Sequence, residues 1–216
     1  MERLKVLNLY AGIGGTRKLW ENVDVTAVEL DPAIAKIYHD YFPDDKVIVG
    51  DAHQYLLDHF DEFDFVWTSP PCPTHSQLQS MIIHNKKEVV YPDMKLYQEI
   101  IVLMKWFRGK FCVENVKLYY EPLIKPTAKV HRHIFWSNFR IGIYETKDDR
   151  RHVDINNKST VYGFNISDTE IKDKAKSLKN MVDPTVANYI LNCARNILTK
   201  SNVQQLDLFE DASNKN

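Results

Sequence analysis

Over residues 1–116, short apolar runs alternate with segments whose apolar side chains recur at helical spacing, and several of the runs end in glycine or an acid. That alternation predicts an α/β chain with a doubly wound, mostly parallel sheet, whose ligand sits at the carboxyl ends of the strands. Residues 6–10 form a first buried strand that stops at glycines, and residues 23–29 form a second. Asp31 and Pro32 then open a helix as N-cap and first helical residue, with Ile34, Ile37, Tyr38 and Tyr41 on one face. Residues 46–49 and 63–67 read as third and fourth strands, a helix runs from Pro92-Asp93 to about Phe107, and residues 111–113 form a fifth strand.

Beyond Val116 the pattern weakens. Residues 134–136 and 139–143 read as an antiparallel pair, residues 145–179 are polar and lysine-rich, and a helix returns from Pro184 with Val186, Tyr189, Ile190, Cys193 and Ile197 on one face. The division that follows is a core over 1–143, a short basic segment over 144–179, a helix returning to the core over 180–199 and a flexible tail over 200–216.

The chain has 216 residues, 44% of them apolar, with 28 basic and 29 acidic side chains. This length suits one domain and needs no disulfide staple, and three scattered cysteines without a Cys-x-x-Cys pair suggest neither a secreted framework nor structural zinc. No basic-then-apolar leader and no run of 18 apolar residues is present, so a cytoplasmic, nucleoid-associated monomer without a bound metal is expected. Charge is unevenly spread: residues 1–116 carry net −5 and residues 117–179 net +5, as in a protein with one side turned to a polyanion.

Tyr10-Ala11-Gly12-Ile13-Gly14-Gly15 follows a strand and precedes a helix, and its glycines allow positive φ and close approach of a ligand to the backbone. Glu29 ends the next strand, where an acid accepts both hydroxyls of a ribose, and Asp51 after the third strand is placed to meet an adenine amino group. The loop lacks Gly-x-Gly-x-x-Gly spacing, which argues against a pyrophosphate and favours S-adenosylmethionine (AdoMet). Past the fourth strand, Pro70-Pro71-Cys72 puts a thiol on a stiff turn, a candidate nucleophile beside the cofactor cleft. Cys112 and Cys193 lie in apolar patterns and read as core. Glu114 and Asn115 end the fifth strand, whose place beside the fourth brings the acid near Cys72 as a proton donor.

Together these segments resemble the cytosine-C5 DNA methyltransferase family, in a small bacterial or phage-type form. The resemblance rests on the glycine loop after Leu9, on Glu29, Gly50-Asp51 and Pro71-Cys72, and on Glu114-Asn115-Val116, all in the family's order. It implies a Rossmann-like AdoMet-dependent methyltransferase fold and methyl transfer to C5 of a flipped cytosine through a Cys72–C6 bond. Catalysis would fall to Cys72, Glu114 and Asn115. Tyr10, Ala11, Gly12, Gly14, Gly15, Glu29, Leu30, Asp51, Ala52 and Pro71 would line the cofactor. Double-stranded DNA would meet Ser76, Lys86, Lys87, His131, Arg132, His133, Lys147, Arg150 and Arg151, some of them touching only phosphate.

Two departures stand out. The family's Gln-x-Arg-x-Arg block corresponds to residues 129–133, with His131 and His133 at the two arginine positions. The target-recognition region is much reduced, leaving about 35 residues from Glu145 to Lys179, which points to a short or relaxed site. In the tail, Gln205-Leu206-Asp207-Leu208-Phe209 looks like the pentapeptide by which bacterial proteins dock on the sliding clamp, or else an apolar anchor folding back on the domain. Rival readings are a DNA-binding module of the same fold that has lost catalysis, motivated by the altered arginine block, and an RNA cytosine methyltransferase.

Overall fold

A computed structural model describes residues 2–77, 91–144, 162–166 and 181–197, with positions 169, 171, 174, 177 and 178 between the last two stretches. The described strands are β1 (Leu4–Leu9), β2 (Val23–Glu29), β3 (Lys46–Val49), β4 (Phe65–Thr68), β5 (Lys110–Val116), β6 (Ala128–Val130) and β7 (His133–Ser137). The helices are α1 (Pro32–Tyr41), α2 (Ala52–His59), α3 (Lys95–Lys105) and α4 (Pro184–Ala194), with 3-10 turns at Thr16–Leu19 and Phe60–Glu62.

The sheet runs in the order β3-β2-β1-β4-β5-β7-β6. Neighbours from β3 to β5 are parallel, whereas β7 is antiparallel to both β5 and β6. The order reverses between β1 and β4, so the loops after these two strands flank the crevice that open α/β sheets use for ligands. The central strands are buried on both faces, which is why β1 and β4 read as unbroken apolar runs. Alternate residues feed two cores. Val6, Val25, Phe65, Trp67, Cys112 and Phe135 pack under Val186 and Ile190 of α4, while Leu7, Val66, Phe111 and Val113 pack under Leu56 of α2 and Ile100 of α3.

Helix starts follow the caps. Asp31 accepts from the N–H groups of Ala33 and Ile34 at the head of α1, and Asp183 accepts from Thr185 N at the head of α4, each ahead of a first-turn proline. Asp45, buried after α1, receives Arg17 at 2.7 Å and the Tyr38 hydroxyl at 2.9 Å, tying the 3-10 turn behind the glycine loop to the α1–β3 connection. Tyr144 reaches Thr185 through a hydroxyl–hydroxyl bond of 2.8 Å, and its ring lies 5.0 Å from that of Tyr189.

The sequence expectation fails in two places here. Residues 134–136 do form a strand, but its partners are residues 128–130 and β5, and residues 139–143 form none. Asn138 explains the stop: its side chain accepts from Phe111 N and donates to Gly109 O, closing the sheet edge where β7 would continue. Ile141 is buried without a ladder, so apolar periodicity misled. Ile197 lies beyond α4 and is 48% exposed, outside the helix face assigned to it.

Gly109 turns the chain from α3 into β5, and a Cβ there would stand 2.4 Å from the carbonyl oxygen of Asp64, which itself accepts from Lys110 N. Gly109→Ala is therefore expected to loosen the start of the β4–β5 pairing and cost about 1–3 kcal/mol of stability. Urea unfolding measures this, and an unchanged midpoint would show that the turn relaxes freely.

Candidate active site

The loop after β1 is held in a conformation few residues adopt. Tyr10, Gly12 and Gly14 have φ of 54°, 56° and 93°. The two later glycines answer to packing: a Cβ on Gly14 would lie 2.3 Å from the Phe42 ring, and one on Gly15 would lie 1.9 Å from Met181. Gly12 differs, because a Cβ there would meet nothing within 4 Å; it faces open space. Ala11 is buried, and its N–H bonds Val28 O at 3.1 Å.

Glu29 closes this loop from the end of β2. Its Oε2 accepts from Gly12 N at 2.9 Å and its Oε1 from Asp31 N at 3.0 Å. A carboxylate oxygen has two acceptor positions, so each keeps one for a ligand hydroxyl. Next to it Leu30 is 70% exposed, a bare apolar side chain at the rim. Asp51 is the N-cap of α2: its Oδ1 accepts from His53 N and Gln54 N, and its other oxygen lies 3.6 Å from Lys95 Nζ. Slight burial pushes its carboxyl pKa up, but the Gln54 and His53 N–H groups and then Lys95 outweigh this and hold it below the usual range. Ala52, first in the helix, is buried.

Beneath the loop lies a group that the sequence reading missed. Glu99 of α3 is fully buried, its Oε1 accepting from the Tyr10 hydroxyl at 2.6 Å and from His53 Nδ1 at 2.9 Å, its Oε2 from the Thr68 hydroxyl at 2.6 Å. His53 Nε2 faces Gln98 Oε1 at 3.2 Å, so both ring nitrogens point at acceptors and the ring suits two protons. Its pKa is raised, first by the hydrogen bond to Glu99. Burial, then the charge of Glu99, pushes the Tyr10 hydroxyl far above the usual phenol range. The legible signal was an acid within the apolar stripe Leu96, Ile100 and Leu103.

Past β4, Pro70 is buried, Pro71 exposed and Cys72 half-buried. Asn115 of β5 donates from Nδ2 to the Pro70 carbonyl at 3.0 Å, and its Oδ1 accepts from Val116 N at 2.9 Å. The cysteine's turn is thus pinned to the strand whose preceding residue is Glu114. The Cys72 carbonyl accepts from His75 N and Ser76 N, folding the chain back at once. His75 is fully buried; Nε2–H donates to Asp93 O at 3.0 Å and Nδ1 accepts from the Tyr120 hydroxyl at 2.7 Å. Burial first of all lowers the His75 pKa, in keeping with a neutral ring serving as a brace. Ser76 is half-buried and bridges to Leu118.

Across β5 and β7, Glu114 Oε1 is hydrogen-bonded to His133 Nδ1, with both side chains nearly buried. Arg132 Nε donates to His133 Nε2 at 3.1 Å. His131 stands in the β6–β7 turn at φ 53° and is exposed. Lys86, Lys87, Lys147, Arg150, Arg151 and the pentapeptide Gln205–Phe209 lie outside the described residues. Cys112 and Cys193 are buried core residues, as expected. Among the described residues no cluster of three His, Cys, Asp or Glu fits a metal ion, and no helix is long and apolar enough to cross a membrane.

Residues 4–147 match the family model described as C-5 cytosine-specific DNA methylase. A search of curated proteins returns no match. Among solved structures, the methyltransferase EhMeth of Entamoeba histolytica is 12% identical with a TM-score of 0.56, over 93% of this chain and 100% of that one. This likeness establishes a methyltransferase fold, a Rossmann-like sheet. The DNMT2 protein of Spodoptera frugiperda is 22% identical with a TM-score of 0.36, over 53% of this chain and 36% of that one. A DNA modification methyltransferase encoded within an E. coli prophage is 20% identical with a TM-score of 0.35, over 55% of this chain and 33% of that one.

The Glu99–His53 pair sets a pH dependence of stability. A histidine pKa raised by folding stabilises fully below the unfolded value of about 6.5 and loses that contribution as pH climbs through the folded value. Wild-type unfolding free energy is expected to fall as pH rises above about 6.5, more steeply than in His53→Gln. Equal slopes in the two proteins would show that the ring carries no extra proton.

Proposed function

Because the chain belongs to the C-5 cytosine-specific DNA methylase family, we propose that it transfers a methyl group from AdoMet to C5 of a cytosine extruded from duplex DNA. The cofactor residues fit such a group. Gly12 opens onto space where a side chain would intrude, the two Glu29 oxygens each keep an acceptor position for a ribose hydroxyl, and Leu30 offers an apolar surface to a base, with Asp51 capping the helix that follows the neighbouring strand. When bound, AdoMet supplies an electrophilic methyl on a sulfonium, and the sulfur keeps the bonding pair when the methyl leaves.

Carbon 5 of cytosine is a weak nucleophile until the ring is opened to addition. The Cys72 thiolate adds to C6, the C5=C6 pair moves to C4–C5, and the C4=N3 pair takes up a proton from the Glu114 carboxyl. C5 of the resulting enamine then has the electron density to accept the methyl. Water takes the C5 proton, whose bonding pair restores C5=C6 and expels the thiolate, and the N3 proton returns to Glu114. The observation that carries this reading is the Asn115–Pro70 hydrogen bond, which couples the thiol's turn to the acid's strand. Ser76, His131 and Arg132, with Lys86, Lys87, Lys147, Arg150 and Arg151, extend it to contacts with the DNA.

Fluorine at C5 cannot leave as a cation, so DNA containing 5-fluorocytosine, incubated with AdoMet, is expected to remain covalently attached at Cys72, identified by peptide mass spectrometry. Cys72→Ser is expected to abolish methyl transfer without changing AdoMet affinity, and Glu114→Gln to lower the rate by roughly 10²- to 10⁴-fold. Failure to trap any duplex would favour a binding module of the same fold. We further infer a clamp tether at Gln205–Phe209, which would raise local DNA concentration. Leu208→Ala with Phe209→Ala is expected to weaken capture on immobilised clamp while methylation of short duplexes is kept; loss of the latter as well would assign the tail to the fold.

A further inference from the structure

His133 stands where the resemblance calls for arginine, and its partners set which ring nitrogen donates. Arg132 Nε can only donate, so the His133 Nε2 that it reaches at 3.1 Å must offer a lone pair. The ring is then the neutral tautomer with its proton on Nδ1, and that proton points at Glu114 Oε1. Oε1 of Glu114 is taken by Nδ1–H, so the proton that the proposed reaction needs on this carboxyl sits on Oε2.

We propose that His133 is a positioning residue for the acid: held in one tautomer by Arg132, it occupies Oε1 of Glu114 and makes Oε2 the atom that carries the transferable proton. This rests on the reading of Glu114 as the proton donor. An arginine at position 133 would instead place a fixed positive charge against the carboxyl and favour its ionised form. A neutral imidazole donor fixes the carboxyl's orientation without that charge. In each turnover the O–H bond at Oε2 breaks as N3 is protonated, the Nδ1–H···Oε1 bond remains, and the same oxygen recovers the proton when N3 gives it up.

Among the described residues, Glu114 and Arg132 are the charged groups hydrogen-bonded to the ring. From β5 come Glu114 and, behind it, the Cys112 thiol, which burial pushes well up, followed by the charge of Glu114 and by Cys193 of α4. From the β6–β7 turn comes Arg132. The strand partners Val116 and Val130 bring no charge. Phe135 lies 6.5 Å away, ring to ring.

The test compares wild type, His133→Phe and His133→Asn for methylation of a duplex across pH, together with 5-fluorocytosine trapping. His133→Phe removes the donor, and kcat is expected to fall roughly 10- to 100-fold, the range for loss of a partner that orients a reacting group. A hydrogen bond to a carboxylate favours its ionised form, so without the donor the limb on which activity falls with rising pH is expected to move to higher pH. His133→Asn keeps a neutral N–H on the same branch of the side chain and is expected to restore both rate and limb. If His133→Phe does not fold, His133→Asn decides alone: near wild-type kcat supports the proposal, and a loss beyond about tenfold overturns it. Wild-type trapping with an unmoved limb in His133→Phe would overturn the positioning role only. Absence of trapping in wild type would instead overturn the reading of the reaction.

Discussion

One buried carboxylate organises the crevice. Glu99 accepts hydrogen bonds from the end of β1 through Tyr10, from the end of β4 through Thr68 and from α2 through His53. A carboxylate taken out of water is costly unless its lone pairs are filled, and three donors meet that demand. The arrangement also offsets the strain of a tyrosine at positive φ: Tyr10 takes that conformation at the point where its hydroxyl reaches Glu99. The walls on either side of the sheet's reversal point thus share one internal anchor, and the glycine loop inherits its position from it.

The same economy appears at the turn that carries Cys72. A loop bearing a thiol has no reason of its own to stay beside a particular strand, and two prolines only stiffen it. Asn115 supplies the address by giving its Nδ2–H to the Pro70 carbonyl, and His75 braces the far side between Asp93 and Tyr120. Neither contact involves the thiol or the acid directly. Both restrict where these groups stand, which is what the proposed reaction asks of its scaffold.

Much of this was legible in the chain because the signals are local. Asp31-Pro32 dictated the start of α1, and unbroken apolar runs dictated strands buried on both faces. The places of Glu29 at the end of β2, Cys72 past β4 and Glu114 near the end of β5 were readable because they follow from the strand pattern. The unreadable part is non-local. The pairing of Glu99 with Tyr10 spans 89 residues, and that of His133 with Glu114 crosses two antiparallel strands, one of whose neighbours is only three residues long. Such contacts depend on register, which no periodicity encodes. Residues 139–143 show the opposite error, since Ile141 repeats a strand's pattern after Asn138 has already used the hydrogen bonds a strand would need.

The hydroxyl bond between Tyr144 and Thr185, reinforced by the Tyr144–Tyr189 ring contact, has a bearing on what backs the glycine loop. It brings the departure point and the return point of the intervening chain to the same spot on the body. Within that interval Tyr162, Phe164 and Ile166 are buried with Ile13 and Ile37, so these residues pack on the body as part of it. Met181, just ahead of Thr185, fills the space that Gly15 leaves without a side chain, so the lock at Tyr144 also steadies the back of the glycine loop.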